Sequence, residues 1–399
     1  MRGARAAALL LLAASARAEV AVFDAGRLPP DGALYSADGY HYAYLVSDEK
    51  HDRWLVDGKA RATGAAGTLS PAAALSADGS VLMHFVAAGD GWALAFNGRR
   101  AGKKTYEDVA SPALSPAGRN MAFAAKTPAG WVTVSGQGTG PAFPKPPSLL
   151  LVSEKSTLAL NEWAGRPWLY RDHAPVAALA GGEPAVSPDL KRTAAVVPGA
   201  SGGGTYVEVD GKRLGPWADA GTPAFSPDGR HVAFLAKRRA GGPFDTLIVD
   251  GRSAEMTPCE GCTLVVDNAG RAFEDELVVA IDEKAQIHRF YLGTKPLGRP
   301  SRVGSSPRGT HYVYSALTGR GDVIALDGKA AETDAPLALP VTAPVFDGEN
   351  EYHYWTNVGP DIALVCGAVS GARPKETRCA AVAAALGWPP ASDAPSSAP

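Results

Sequence analysis

The chain has 399 residues, a formal net charge of −2 and 46% apolar side chains. So weak a charge over this length argues against a protein whose main task is to neutralise phosphates or coat an anionic membrane, and the apolar content excludes global disorder. Gly (45) and Pro (32) together reach about 19% of the residues, against ~12% on average, which speaks against a helical protein.

The N-terminus carries Arg2 and Arg5, then the short apolar stretch Ala6–Ala14, then Ser15-Ala16-Arg17-Ala18. A basic region, an apolar region and an Ala-x-Ala site predict an export signal over 1–18. The apolar stretch is far short of the ~20 residues a bilayer span needs. Removing Arg2, Arg5 and Arg17 leaves 36 basic against 41 acidic side chains, a net charge near −5. The expected location is periplasmic or secreted, with no membrane span.

A repeat follows. Ser36-Ala-Asp38-Gly39, Ser76-Ala-Asp78-Gly79, Ser115-Pro-Ala-Gly118, Ser187-Pro-Asp-Leu190, Ser226-Pro-Asp228-Gly229 and Ser306-Pro-Arg-Gly309 mark one turn. Weaker copies begin near Ser153, Asp267 and Asp347, giving nine start points about 39 residues apart. A fixed period in this range means a solenoid, a propeller or an array.

Each copy reads as four short strands. In the clearest one, Pro223-Ala-Phe225 precedes the turn Ser226-Pro-Asp-Gly229, and His231–Ala236 is β-prone. Asp245–Val249 then leads into the hairpin Asp250-Gly251. The same hairpin marker recurs at Asp57-Gly58, Asn97-Gly98, Asp210-Gly211 and Asp327-Gly328. Four antiparallel strands per period are one propeller blade, whose two apolar faces are buried by its neighbours. The expectation is an all-β β-propeller of four-stranded antiparallel blades over 19–370, with nine repeat units. Eight blades are the alternative, with the weak Ser153 copy absorbed as an insertion. Val20–Phe23 is free to complete the last blade, in which Cys366-Gly367 takes the hairpin position.

Four cysteines fall into two local pairs, Cys259/Cys262 and Cys366/Cys379. An even count in an exported chain favours disulfides, although four cysteines allow three pairings. A C-terminal extension is expected over 371–388, with a short helix at 379–386. The Pro/Ser/Ala tail 389–399 is expected to be disordered.

The pattern Ser226-Pro-Asp-Gly-Arg-His-Val-Ala-Phe234 resembles the WD-repeat-like propeller repeat of the TolB-like family. It is similar also to the propeller domains of prolyl oligopeptidase and dipeptidyl peptidase IV. The resemblance covers nearly the whole chain after residue 18, as a repeat signature without the additional domains of those proteins. It implies a bare propeller and raises the prospect of protein binding.

Motifs for chemistry are sparse. Gly199-Ala-Ser201-Gly-Gly203 matches Gly-x-Ser-x-Gly, but a strand rather than a helix follows, so it reads as a hairpin loop. His41, His231 and His311 occupy one repeat position on separate copies and read as half-exposed strand-start residues. Glu274-Asp-Glu276 and Asp347–Glu351 are the options for Ca²⁺, neither with an EF-hand pattern. Trp54, Trp92, Trp131 and Trp168 precede or open third strands and read as inter-blade packing, with a ligand-gripping rim as the sharper alternative. No catalytic, cofactor or metal residue is assigned. The functional expectation is a monomeric binding module in the cell envelope or outside the cell. Its partner is an envelope or extracellular protein, with a cell-wall glycan as a second candidate and no nucleic acid. The alternative is a hydrolase or lyase with a site at the channel mouth.

Overall fold

A computed structural model describes residues 20–27, 33–179, 184–199, 203–226, 228–259, 264–266, 272–274, 277–281, 287–291, 299–306, 311–318, 321–327, 329–330, 341–358, 361–369 and 377–390. Within them the chain forms eight four-stranded sheets and one five-stranded sheet, all antiparallel in their pairing. Eight follow one another along the chain, over 34–65, 69–100, 109–143, 149–178, 185–217, 219–259, 264–291 and 299–330. The ninth joins 345–346, Glu351–Val358 and Asp361–Ala368 to the N-terminal strand Val20–Arg27. This is a multi-blade β-propeller.

Each blade is a meander because its connections are short turns. The second strands are the most apolar, and they are buried on both sides. Leu82, Met83, Phe85, Ala122, Phe123, Ala124, Ala233 and Phe234 are all fully buried. Packing runs between blades. Met83 and Phe85 of the second blade form one cluster with Phe123, Val132 and Val134 of the third. Ala194 and Val207 of the fifth pack with Phe234 and Ile248 of the sixth. Sheets with two buried faces explain why the strands lack a clean inside–outside alternation.

One detail departs from the sequence reading, and one alternative in it is set aside. Cys366-Gly367 is not a hairpin: both residues lie inside the strand Asp361–Ala368, where Cys366 pairs with Ala21 and Gly367 with Val20. The outer strand comes from the N-terminus, so no turn is needed there. The Ser153 copy is not an insertion: 149–178 forms its own four-stranded sheet. Its marker is weak because the turn is shorter, closing from Ser153 N–H to the Ser156 carbonyl at 2.8 Å. The fifth strand of the sixth blade arises because its inner strand is split into Asp219–Ala220 and Ala224–Phe225.

After the last blade, the helix Arg378–Leu386 starts at the cap Thr377, whose side chain accepts from Ala380 N–H, and stops at left-handed Gly387. A Cys366–Cys379 disulfide ties its first turn to the last blade. Cys379, Ala380, Ala383 and Trp388 are buried with Tyr40 and Tyr42 of the first blade and Trp355 of the last. The helix therefore sits at the seam where chain start and chain end meet. Cys259 is described in its backbone alone and Cys262 lies outside the described residues, as do the leader 1–18 and tail residues 391–399.

Candidate functional site

The repeat turn is built around a buried serine. Ser36 Oγ donates to Asp38 Oδ1 at 2.6 Å and accepts His41 N–H at 2.8 Å. Ser76 and Ser226 do the same with Asp78 and Asp228, and accept the N–H groups of Val81 and His231. The hydroxyl is small enough to be buried and has one donor and two acceptor sites, which the turn uses. Ser187 donates likewise to Asp189 at 2.7 Å, and Ser76 and Ser187 hold the pKa of Asp78 and Asp189 down to about 2.

A second bond system joins this turn to the hairpin across the blade. The hairpin residue sits at positive φ in Asp57, Asn97, Asp172, Asp210, Asp250 and Asp327. Its side-chain oxygen accepts a backbone N–H of the second strand, from Tyr42, Leu82, Thr157, Thr193, Val232 and Tyr312 respectively. In the Asp copies the other oxygen takes the preceding side chain. His41 Nδ1 lies 2.8 Å from Asp57, His231 Nδ1 2.7 Å from Asp250 and His311 Nδ1 2.8 Å from Asp327. Ser156 and Arg192 play the same part for Asp172 and Asp210. Burial works against the His41 cation, but Asp57 outweighs it and the pKa is raised. The three histidines are thus neither clustered nor idle. Each ties the inner turn of its own blade to the outer hairpin.

The seam holds the densest polar cluster. Tyr40 is stacked on His353 with ring centres 3.9 Å apart, and its hydroxyl donates to Asp347. His353, fully buried, places Nδ1 2.8 Å from Asp347 Oδ2 and Nε2 2.9 Å from the Asp38 carbonyl. Trp355 Nε1 donates to the Gly39 carbonyl at 2.7 Å. Arg378 lies over the Tyr40 ring and 3.8 Å from Asp347. Burial would raise the Asp347 pKa, yet His353, Tyr40 and Arg378 hold it low; the Tyr40 phenol is pushed far up by burial and by Asp347. Tyr40, Asp347, His353 and Trp355 all have protein partners here, and the geometry is that of a clasp between the last blade and the first.

A small cavity of about 10 Å³, room for one water, lies between the third and fourth blades and is lined by Thr133, Phe143, Thr157, Asn161, Tyr170 and His173. Thr133 Oγ1 and both side-chain polar atoms of Asn161 are buried there without a protein partner. His173 Nε2 lies 2.9 Å from Ser135 Oγ, and burial lowers its pKa.

The other sequence candidates are dispersed. Trp54 is buried, with Nε1 donating to the Ser70 carbonyl of the next blade at 3.2 Å. Trp92, Trp131 and Trp168 are half-buried. Ser201 lies outside the described residues, and so do Asp275 and Glu276. Asp347 is bound to His353, and Glu351 accepts Arg378 N–H, so both carboxylates already have protein partners. No three His, Cys, Asp or Glu side chains are grouped to hold a metal among the described residues. Sequence reasoning missed the Asp partners, although the copies of His41, His231 and His311 each carry Asp at the hairpin. It also missed Tyr40, His353, Trp355 and Arg378, whose partners lie about 300 residues away in the chain.

No protein-family model matches the chain, and no curated protein matches it. Among solved structures it is similar to a eukaryotic initiation factor, with 12% identity, 82% of this chain and 93% of that one covered, and a TM-score of 0.47. It is similar also to the Dos1 propeller, with 12% identity, 77% and 93% covered and a TM-score of 0.37. The β-propeller domain of the trilobed protease from Pyrococcus furiosus aligns at 10% identity over 63% and 78%, with a TM-score of 0.33. Antiparallel sheets strung in chain order, tied blade by blade through one turn-and-hairpin pattern, give this chain a β-propeller fold.

Proposed function

We propose that this protein is an exported β-propeller that binds a protein partner in the cell envelope or outside the cell. The observation that supports this best is where the ionisable repeat residues go. His41, His231 and His311 each pair with a hairpin Asp of their own blade. These groups hold the scaffold, which leaves exposed loops and blade edges as the working surface. The basic leader with its Ala-x-Ala site supports export, and a disulfide is compatible with an oxidising compartment. No helix among the described residues is long and apolar enough to cross a membrane. A hydrolase or lyase would instead need ionisable groups converging from several blades.

The test is affinity capture with the tagged mature chain from the native envelope and from the medium. One or a few proteins should be enriched over a control propeller of similar charge. Equal recovery on both baits would defeat the protein-binding reading.

A further inference from the structure

We propose that the outer rim of the second blade binds a linear anionic polysaccharide through Arg99, Arg100, Lys103 and Lys104, with Lys59 and Arg61 of the first blade beside them. Four of the six residues 99–104 are cationic. Arg99 and Arg100 form the outer strand, opposite Phe96 and Ala95. The chain then bulges out before Tyr106 rejoins at Trp92 through paired bonds of 2.8 and 2.9 Å. Phe96 and Trp92 are four positions apart, so the cations are laid along ~13 Å of blade edge. Residues 99–105 are all exposed.

The bulge is held rather than loose. Arg100 Nη2 donates to the Lys103 carbonyl at 3.1 Å, and Lys104 Nζ sits 5.1 Å over the Tyr106 ring. The neighbouring blade abuts it: a Cβ at Gly98 would stand 2.9 Å from the Arg61 carbonyl. Lys59 and Arg61, both exposed, therefore extend the same rim. None of the six forms an ion pair with a described carboxylate. The nearest carboxylates in sequence are taken, Glu107 by Lys126 at 2.7 Å and Asp108 by Val109 N–H at 2.8 Å. Charges on an outer strand also discourage edge-to-edge pairing. The outer strands Lys59–Ala65, Lys212–Trp217 and Arg252–Cys259 also open on Lys or Arg, and the second blade adds Lys103 and Lys104 beyond its outer strand Arg99–Arg100.

The shape of the rim selects the ligand class. A membrane surface would call for exposed apolar groups beside the cations, but the large exposed hydrophobics among the described residues, Trp163 and Val176, belong to the fourth blade. Single-stranded nucleic acid would call for an open aromatic face, and Tyr106 is only 9% exposed beneath Lys104. A narrow row of Arg and Lys suits carboxylates or sulfates spaced along one chain, which Arg can grip bidentately. This inference does not depend on the protein-binding role.

The test is titration of the mature protein with polygalacturonate and with dextran sulfate at low salt, using neutral dextran, phosphatidylglycerol vesicles and poly-glutamate as comparisons. The wild type should bind both polysaccharide anions, more weakly as salt rises, and leave neutral dextran unbound. The variant R99Q/R100Q/K103Q/K104Q should lose at least about tenfold in affinity, K103Q/K104Q about threefold, and K145Q/K155Q nothing. The double variant keeps the outer strand intact should the quadruple one fold poorly. Equal binding by both rim variants overturns the proposal. So does vesicle or poly-glutamate binding as tight as that of the polysaccharides, which would assign the rim to lipid or to an acidic peptide.

Discussion

His353 and Asp38 join the end of the chain to its beginning: Nε2 of the buried imidazole lies 2.9 Å from the Asp38 carbonyl. Its other nitrogen faces Asp347 Oδ2 at 2.8 Å. Both neighbours are acceptors for a ring N–H. His353→Ala would leave a buried carboxylate and a carbonyl without these donors. The expected cost is about 2–4 kcal/mol in urea unfolding, with His353→Gln between Ala and wild type. An unchanged midpoint for His353→Ala would remove the clasp from the account of stability.

Gly79 tests how blades nest. Its φ is +66°, and a Cβ there would meet His41 Cγ of the preceding blade at 2.3 Å. Gly67 has φ +76° with nothing within 4 Å. Gly67→Ala should cost only the backbone strain, about 1 kcal/mol. Gly79→Ala should cost about 2–4 kcal/mol, because the His41–Asp57 tie must also shift. Similar melting temperatures for the two variants would contradict this nesting.

The seam helix is a further test. The Cys366–Cys379 bridge closes a separation of 13 residues, worth about 3 kcal/mol on the loop-entropy scale. Trp388 packs on Trp355 at 5.4 Å and on Tyr42 at 6.3 Å. A Cys366→Ala/Cys379→Ala variant should melt lower and show red-shifted tryptophan emission as Trp388 gains water. A thermal shift without a spectral one would mean that the helix stays docked without its bond.

Acid stability follows from the turns. The Asp78 and Asp189 carboxyls have pKa values held at about 2, below the usual carboxylate range, chiefly by hydrogen bonds from Ser76 and Ser187. A depressed carboxylate contributes stability above its unfolded pKa and loses it as pH falls through the folded one. The loss should therefore run from about pH 4 down to pH 2. Both groups are exposed, so solvent screening leaves about 0.5–1 kcal/mol for the pair. Asp78→Asn/Asp189→Asn should flatten the unfolding free energy across that window, as measured by urea titration at each pH.

The repeat made the blades legible, because a turn serine and a hairpin Asp-Gly are local signals with local causes. The histidine ties were legible in principle: His41, His231 and His311 each come with an Asp at one fixed place in the copy. The seam was not. Tyr40, His353, Trp355 and Trp388 are ordinary aromatic residues until the ring brings both chain ends together. The basic rim was hidden too, since a near-neutral total charge averages out four cations in a row of six.

The central claim is that the His–Asp pairs tie turn to hairpin within their own blades while the protein works by binding. Its most direct test is partner capture by His231→Ala/Asp250→Ala, measured well below that variant's melting temperature. The predicted result is a lower melting temperature with the captured amount unchanged. Loss of capture by a variant whose fold and melting temperature are intact would contradict it, and would place His231 and Asp250 in the working site.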